Sequence, residues 1–153
     1  MRAIQDFYPE DFSHCFGCGR LNEHGYRIKS HEDGDAVVLR FDPEPYQLSV
    51  PGFTYGGLIA SLIDCHAMAT AAAATYRAEG REPGTEPPLR FVTARLQVDY
   101  LKPTPICPLE IRARAREVGA RKVLVDAELR AGGEVTARGD VVAVRLPDTM
   151  RKP

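Results

Sequence analysis

A chain of 153 residues, 44% hydrophobic and 27% charged, suits one soluble globular domain over residues 1–153 whose core closes without disulfide or metal staples. Lys and Arg number 20 against 21 Asp and Glu, a net charge of −1, which argues against nucleic acid or an anionic membrane as partner, because both select basic surfaces. The opening MRAIQDFYPEDF is polar and acidic rather than a signal peptide, and four cysteines are too few for a disulfide scaffold, so a reducing cytoplasm is expected.

Residues 1–25 form an N-terminal segment without periodicity. Tyr26 to Ser30 and Ala36 to Phe41 then flank the turn-like HEDGD and predict a hairpin. The longest apolar run, Leu58 to Ala74, contains Ser61, Asp64, His66 and Thr70. A charge at mid-bilayer is costly, so a helix buried inside the domain is the expectation. Gly56-Gly57 marks its start, and GREPGTEPP (Gly80 to Pro88) reads as the loop after it.

Four strands are predicted next, near 90–101, 108–118, 122–131 and 134–146. In the first, Val92, Ala94, Leu96, Val98 and Tyr100 share one face, with Thr93, Arg95, Gln97 and Asp99 on the other. Gly132-Gly133 signals a hairpin between the last two strands, and residues 148–153 read as a frayed tail. Two strands, one helix and four strands make a six-stranded antiparallel sheet that only the helix can cover. A helix wrapped by such a curved sheet is the hotdog fold.

Three stretches carry a family resemblance. Tyr55 to Asp64 (YGGLIASLID) resembles the helix start of hotdog acyl-CoA thioesterases, closest to the branch that includes the phenylacetate-pathway enzymes. Cys15 to Ile28 (CFGCGRLNEHGYRI) is similar to the Cys-x-x-Cys-Gly opening of many such proteins. Leu96 to Pro105 (LQVDYLKPTP) is similar to their third strand. The resemblance spans about residues 15 to 146.

It implies a thioester hydrolase in which the Gly56 N–H, with Gly57 beside it, holds the oxyanion and Asp64 is general base or nucleophile. Free N–H groups at a helix start and the positive end of its dipole suit that first task. Alternatively the glycines serve close helix–sheet packing. An unpaired carboxylate in an apolar helix is expensive unless it is functional or paired; Arg95 is the alternative partner for Asp64. Thr93 matches a position where relatives hold the attacking water. Ser49, Gln47 and Ser61 are candidate substrate contacts, as is Tyr55, which stands where relatives commonly have His. Tyrosine cannot act as a base near neutral pH. His66 points about 200° away from Asp64 around the helix and reads as a packed histidine.

Cys15, Cys18, His14 and His24 suggest zinc, but no second ligand pair has standard spacing, and Cys65 and Cys107 would have to be recruited from the helix and a strand. Buried thiols in a Gly-rich turn, with no metal, are the expectation. Arg112, Arg114 and Arg116 could meet coenzyme A phosphates, or pair with Asp126 and Glu128 on the next strand. No cofactor is expected beyond the coenzyme A of the substrate. The alternatives to a thioesterase are a hotdog dehydratase or hydratase and a non-catalytic acyl-CoA binding module. Gly56 and Asp64 lie about 12 Å apart along one helix, too far to serve one carbonyl. A homodimer of antiparallel helices, which can pair further into a tetramer, brings Gly56 of one subunit to Asp64 of the other.

Overall fold

The computed structural model describes residues 1–151. Helix α1 spans Gly56–Ala78 and lies against a six-stranded sheet. It is long and apolar enough to cross a membrane by length and composition, and 72% of its apolar window is buried within the protein. Buried Ala67, Ala69, Ala71, Ala72 and Ala73 keep its second half slim, so the sheet closes around it. Only its first half has an open stripe, along Gly57, Ser61 and Asp64, residues spaced to share one helix face.

The strands are β1 (Ser30–Asp33), β2 (Ala36–Phe41), β3 (Phe91–Tyr100), β4 (Leu109–Val118), β5 (Lys122–Ala131) and β6 (Glu134–Arg145). Their order across the sheet is β1-β2-β4-β5-β6-β3, with every neighbouring pair antiparallel. This is the hotdog fold. The four strands after α1 lie within a residue of the expected bounds. Gly132 and Gly133, at φ 59 and 80, make the expected tight turn between β5 and β6.

The first hairpin differs from expectation. Its opening strand runs over Ser30–Asp33 rather than Tyr26 to Ser30. Arg27 sits at φ 54, which interrupts an extended run. The Ile28 N–H donates to the Gly17 carbonyl at 3.0 Å, so this stretch belongs to the N-terminal segment. That segment packs on the core through buried Ile4, Tyr8 and Cys18 and includes 3-10 turns at Ile4–Phe7 and Glu10–Phe12. Of the expected frayed tail, Asp148–Met150 forms another 3-10 turn, while residues 152–153 lie outside the described residues.

His66 sits in a buried polar chain. Its Nε2 hydrogen bonds the Val37 carbonyl at 2.9 Å and its Nδ1 the Ser30 hydroxyl at 2.8 Å. A carbonyl only accepts, so Nε2 carries the proton and Nδ1 accepts from Ser30. The Gln5 amide closes the chain, its Nε2 donating to Ser30 Oγ at 3.0 Å and its Oε1 accepting the Ser30 N–H at 2.8 Å. Every member is satisfied, as burial requires.

A second difference lies in β3. Thr93 pairs with Ala143, but Arg95 pairs with Val142, leaving Ala94 as a bulge. The extra residue reverses the alternation. Ala143, Val141, Gly139 and Ala137 are the buried, helix-facing residues of β6. Thr93 therefore shares a face with Leu96, Val98 and Tyr100, their partners being Ala143, Val141, Gly139 and Ala137. Strict alternation had placed it on the opposite face.

The arginine stripe of β4 is ion-paired, with partners that differ in part from those expected. Arg116 meets Asp126 and, at 3.5 Å, Asp140. Arg112 and Arg114 instead reach Asp33 at 2.6 Å and Asp35 at 3.3 Å, on the β1–β2 hairpin. Glu128 is taken by Arg130 at 3.0 Å and Arg138 at 3.7 Å.

Candidate active site

Asp64 lies on the open stripe of α1, and the Thr93 hydroxyl donates to its Oδ1. Burial lifts the Asp64 carboxyl above its ordinary range; the Thr93 hydrogen bond and Arg90 oppose that lift, and Cys15 adds to it. Arg95 donates to Gln97 Oε1 at 2.6 Å, and no salt bridge engages Asp64 among the described residues. The carboxylate is therefore half-buried, oriented by a neutral donor and available. It opens on a cavity of about 400 Å³, lined also by Ser61, Tyr26, Phe16, Cys15 and Cys65.

The start of α1 offers donors. Tyr55 caps the helix with its backbone: its carbonyl accepts the N–H groups of Leu58 and Ile59 at 3.1 and 3.2 Å. Among the described residues the N–H groups of Gly56 and Gly57 have no acceptor, so two donors remain free where the helix dipole is positive. The two glycines differ. A Cβ at Gly57 would fall 2.5 Å from the Tyr55 ring, whereas one at Gly56 would sit in ordinary contact with Tyr100 at 3.5 Å. The bare backbone of Gly57 thus accommodates the Tyr55 ring, which remains 54% exposed.

Gly56 and Ser49 line a second cavity of about 520 Å³ with Ile59, Phe53 and Tyr100. No residue lines both cavities. Within one chain, Gly56 and the Asp64 carboxylate line different spaces.

Ser61 Oγ donates back to the Gly57 carbonyl at 2.9 Å. Gln47 is engaged inside its own loop: its Oε1 accepts the Glu44 N–H at 2.8 Å and its carbonyl the Tyr55 N–H at 3.0 Å. Tyr100 and Arg90 have no site role in the sequence reading, and Cys65 enters it only as a thiol a metal would have to recruit. Tyr100 Oη donates to the Gly56 carbonyl at 2.7 Å, fixing the first peptide of the helix. Cys65 faces Cys15, with their Sγ atoms 3.9 Å apart. Arg90 acts electrostatically on Asp64 and on the cysteines around it. Arg90 follows a proline-rich loop and had no pattern to mark it. Cys65 could have been noticed as the helix neighbour of Asp64.

Comparison with known proteins agrees with this architecture. The thioesterase superfamily model matches residues 51–138, and the chain belongs to that superfamily. A thioesterase superfamily protein from Shewanella loihica, known from its crystal structure, is 44% identical; the match covers 82% of this chain and 96% of that one, with a TM-score of 0.67. The acyl-coenzyme A thioesterase THEM4 of Xenopus laevis is 36% identical over 95 residues. That match covers 61% of this chain but only 37% of the curated relative. A Bacillus halodurans protein solved with CoA shares the fold at 22% identity and a TM-score of 0.64, over 84% of this chain and 82% of its own.

Proposed function

We propose that this protein hydrolyses acyl-CoA thioesters to a free acid and a thiol. The observation that carries this reading is the Asp64 carboxylate, oriented by Thr93, in no salt bridge among the described residues and open to a cavity. Asp64 draws a proton from a water as it attacks the thioester carbonyl, or attacks directly to give an acyl-enzyme anhydride. In either course Thr93 holds the carboxylate, and the Gly56 and Gly57 amides receive the developing oxyanion. In the first course the departing coenzyme A thiolate takes the proton that Asp64 drew from the water. In the second a water then opens the anhydride, releasing the acid, restoring the Asp64 carboxylate and supplying the thiolate's proton. The carboxylate, amides and water suffice for these steps, and coenzyme A enters only as part of the substrate. Family membership and the named relatives support the reaction class, and the CoA bound to the Bacillus halodurans protein supports the thiol carrier. Four free cysteines suit a reducing cytoplasm.

The site is completed by a second copy of the chain. Gly56 and Asp64 face separate cavities, and β3 is a sheet edge ten residues long. Leu96 and Tyr100 of β3 and Val50, Phe53 and Tyr55 of the loop before α1 expose apolar surface, and Val50 and Phe53 line a cavity with Tyr100. Edge pairing with a partner covers such a strand. An antiparallel dimer then sets the Gly56 amide of one subunit against Asp64 of the other, and two dimers can pair into a tetramer.

A dehydratase or hydratase is disfavoured because His66, the histidine nearest Asp64 in sequence, is committed to Ser30 and Val37. The test is thiol release over an acyl-CoA panel with Asp64→Asn as control. Wild-type release that is lost in the variant supports hydrolysis. Release unchanged in Asp64→Asn overturns the role of Asp64, and binding without release makes the protein a carrier or sensor instead.

A further inference from the structure

The N-terminal segment brings Cys15 and Cys18 against Cys65 of α1, and all three sulfurs lie within 4.8 Å of one another. Sulfurs bound to one tetrahedral zinc by bonds of about 2.3 Å stand about 3.8 Å apart. The Cys15 and Cys65 sulfurs are separated by 3.9 Å. No second ligand pair follows Cys15 and Cys18 at standard zinc spacing; the fold supplies the third thiol from 50 residues away.

The surrounding backbone holds the loop against the helix thiol. The Gly19 N–H donates to the Cys15 carbonyl at 2.7 Å. A Cβ on Gly17 would lie 2.3 Å from Cys65 Sγ, so a glycine is required for the loop to press onto the helix thiol. Arg90 lines a cavity together with Cys15, stacks over the Tyr8 ring at 5.1 Å and makes no salt bridge among the described residues. A half-buried cation without an acidic partner is costly. A divalent ion held by three thiolates carries one net negative charge, which one guanidinium offsets.

We propose that Cys15, Cys18 and Cys65 form a site for a thiophilic divalent metal ion, zinc foremost, that ties the N-terminal segment to the central helix. Loading is the exchange of three thiol protons for one ion: M²⁺ plus three S–H groups gives a tris-thiolate of charge −1 and three H⁺. Soft thiolate donors select zinc, cadmium or cobalt over magnesium and calcium. Cys15 and Cys65 line the Asp64 cavity, so solvent completes the fourth position. The ion takes no part in the hydrolysis derived above, and its site does not depend on that reading.

The test uses the full chain, reduced and free of oxygen, with cobalt(II) as the probe. Thiolate-to-cobalt charge-transfer absorption is expected to saturate at one ion per chain and to bleach on adding one equivalent of zinc. Cys107→Ser leaves the signal intact, whereas Cys15→Ser, at the half-exposed member of the cluster, weakens it at least tenfold in affinity. Circular dichroism confirms that each variant is folded. Folded, fully reduced wild-type protein that gives no such absorption overturns the site. So does a signal that Cys15→Ser leaves undiminished, or a disulfide within the cluster that forms in place of the metal adduct.

Discussion

Thr93 donates its hydroxyl hydrogen to Asp64 across 29 residues of chain, and it reaches the helix only because Ala94 bulges out of the β3–β6 ladder. The bulge sets the orientation of a carboxylate that has no other side-chain partner on the sheet. Hydrogen bonds to charged groups contribute about 1.5–3 kcal/mol. Thr93→Val is expected to lower kcat by roughly ten- to a hundredfold with little change in Tm, since the position is exposed, and Thr93→Ser to restore most of it. Steady-state thiol release decides the matter; full activity in Thr93→Val would remove Thr93 from the site.

Gly56→Pro tests the proposed oxyanion role of the Gly56 N–H with little disturbance of the helix. Proline is favoured at the first helical position, and Tyr55, at φ −59 and ψ 128, already has the extended backbone that a following proline requires. The substitution deletes the N–H, and kcat should fall about 10²–10³-fold. Refolding a mixture of Gly56→Pro and Asp64→Ala chains should recover up to about half the wild-type activity per heterodimer, because one intact Gly56–Asp64 pair is restored across the interface. Heterodimers that form yet stay inactive would place the whole site within one chain.

Tyr100→Phe removes the 2.7 Å hydrogen bond to the Gly56 carbonyl and keeps the ring against the helix start. A neutral hydrogen bond contributes about 0.5–1.5 kcal/mol. The expected effect is a two- to tenfold loss in kcat with KM nearly constant, because the first peptide of α1 loses its fixed orientation. An equal loss appearing only in KM would assign Tyr100 to substrate binding.

His66 makes stability depend on pH. Complete burial, opposed by hydrogen bonding to backbone, lowers its pKa from 6.5 to about 4; no charged side chain hydrogen bonds to it, its side-chain and backbone partners being Ser30 and Val37. Below pH 6.5 the unfolded chain takes up a proton that the folded chain refuses, so stability falls as pH drops from 6.5 toward 4. The shift corresponds to about 3 kcal/mol across that window. Urea midpoints at the two ends should differ accordingly, and His66→Gln should flatten the part of the dependence that His66 causes. An identical slope in the variant would assign it to the carboxylates.

The elements were legible because their signals are local. Alternation in β4 to β6, Gly132-Gly133 between the last two strands, and an apolar run interrupted by Asp64 each declare themselves within one stretch of chain. The Asp64 position was legible for a physical reason as well: a lone carboxylate in such a run needs a use. What stayed hidden depends on register and on distance along the chain. The bulge at Ala94 inverts the face of Thr93 without leaving a mark in composition. Arg27 at positive φ moved the first hairpin by carrying a side chain into a conformation usually left to glycine. Cys65 joins Cys15 and Cys18 only after the N-terminal segment has folded onto the helix.

The sheet order has a consequence for how the molecule assembles. β6, the sixth strand along the chain, fills the gap between β5 and β3, so β3 has no neighbour until residues 134–145 dock. Pairings such as Thr93 with Ala143 close a long loop, and contacts of that sequence separation form slowly. β3 is held in the sheet by β6 alone, so a chain in which β6 is undocked carries an Asp64 carboxylate with nothing to aim it.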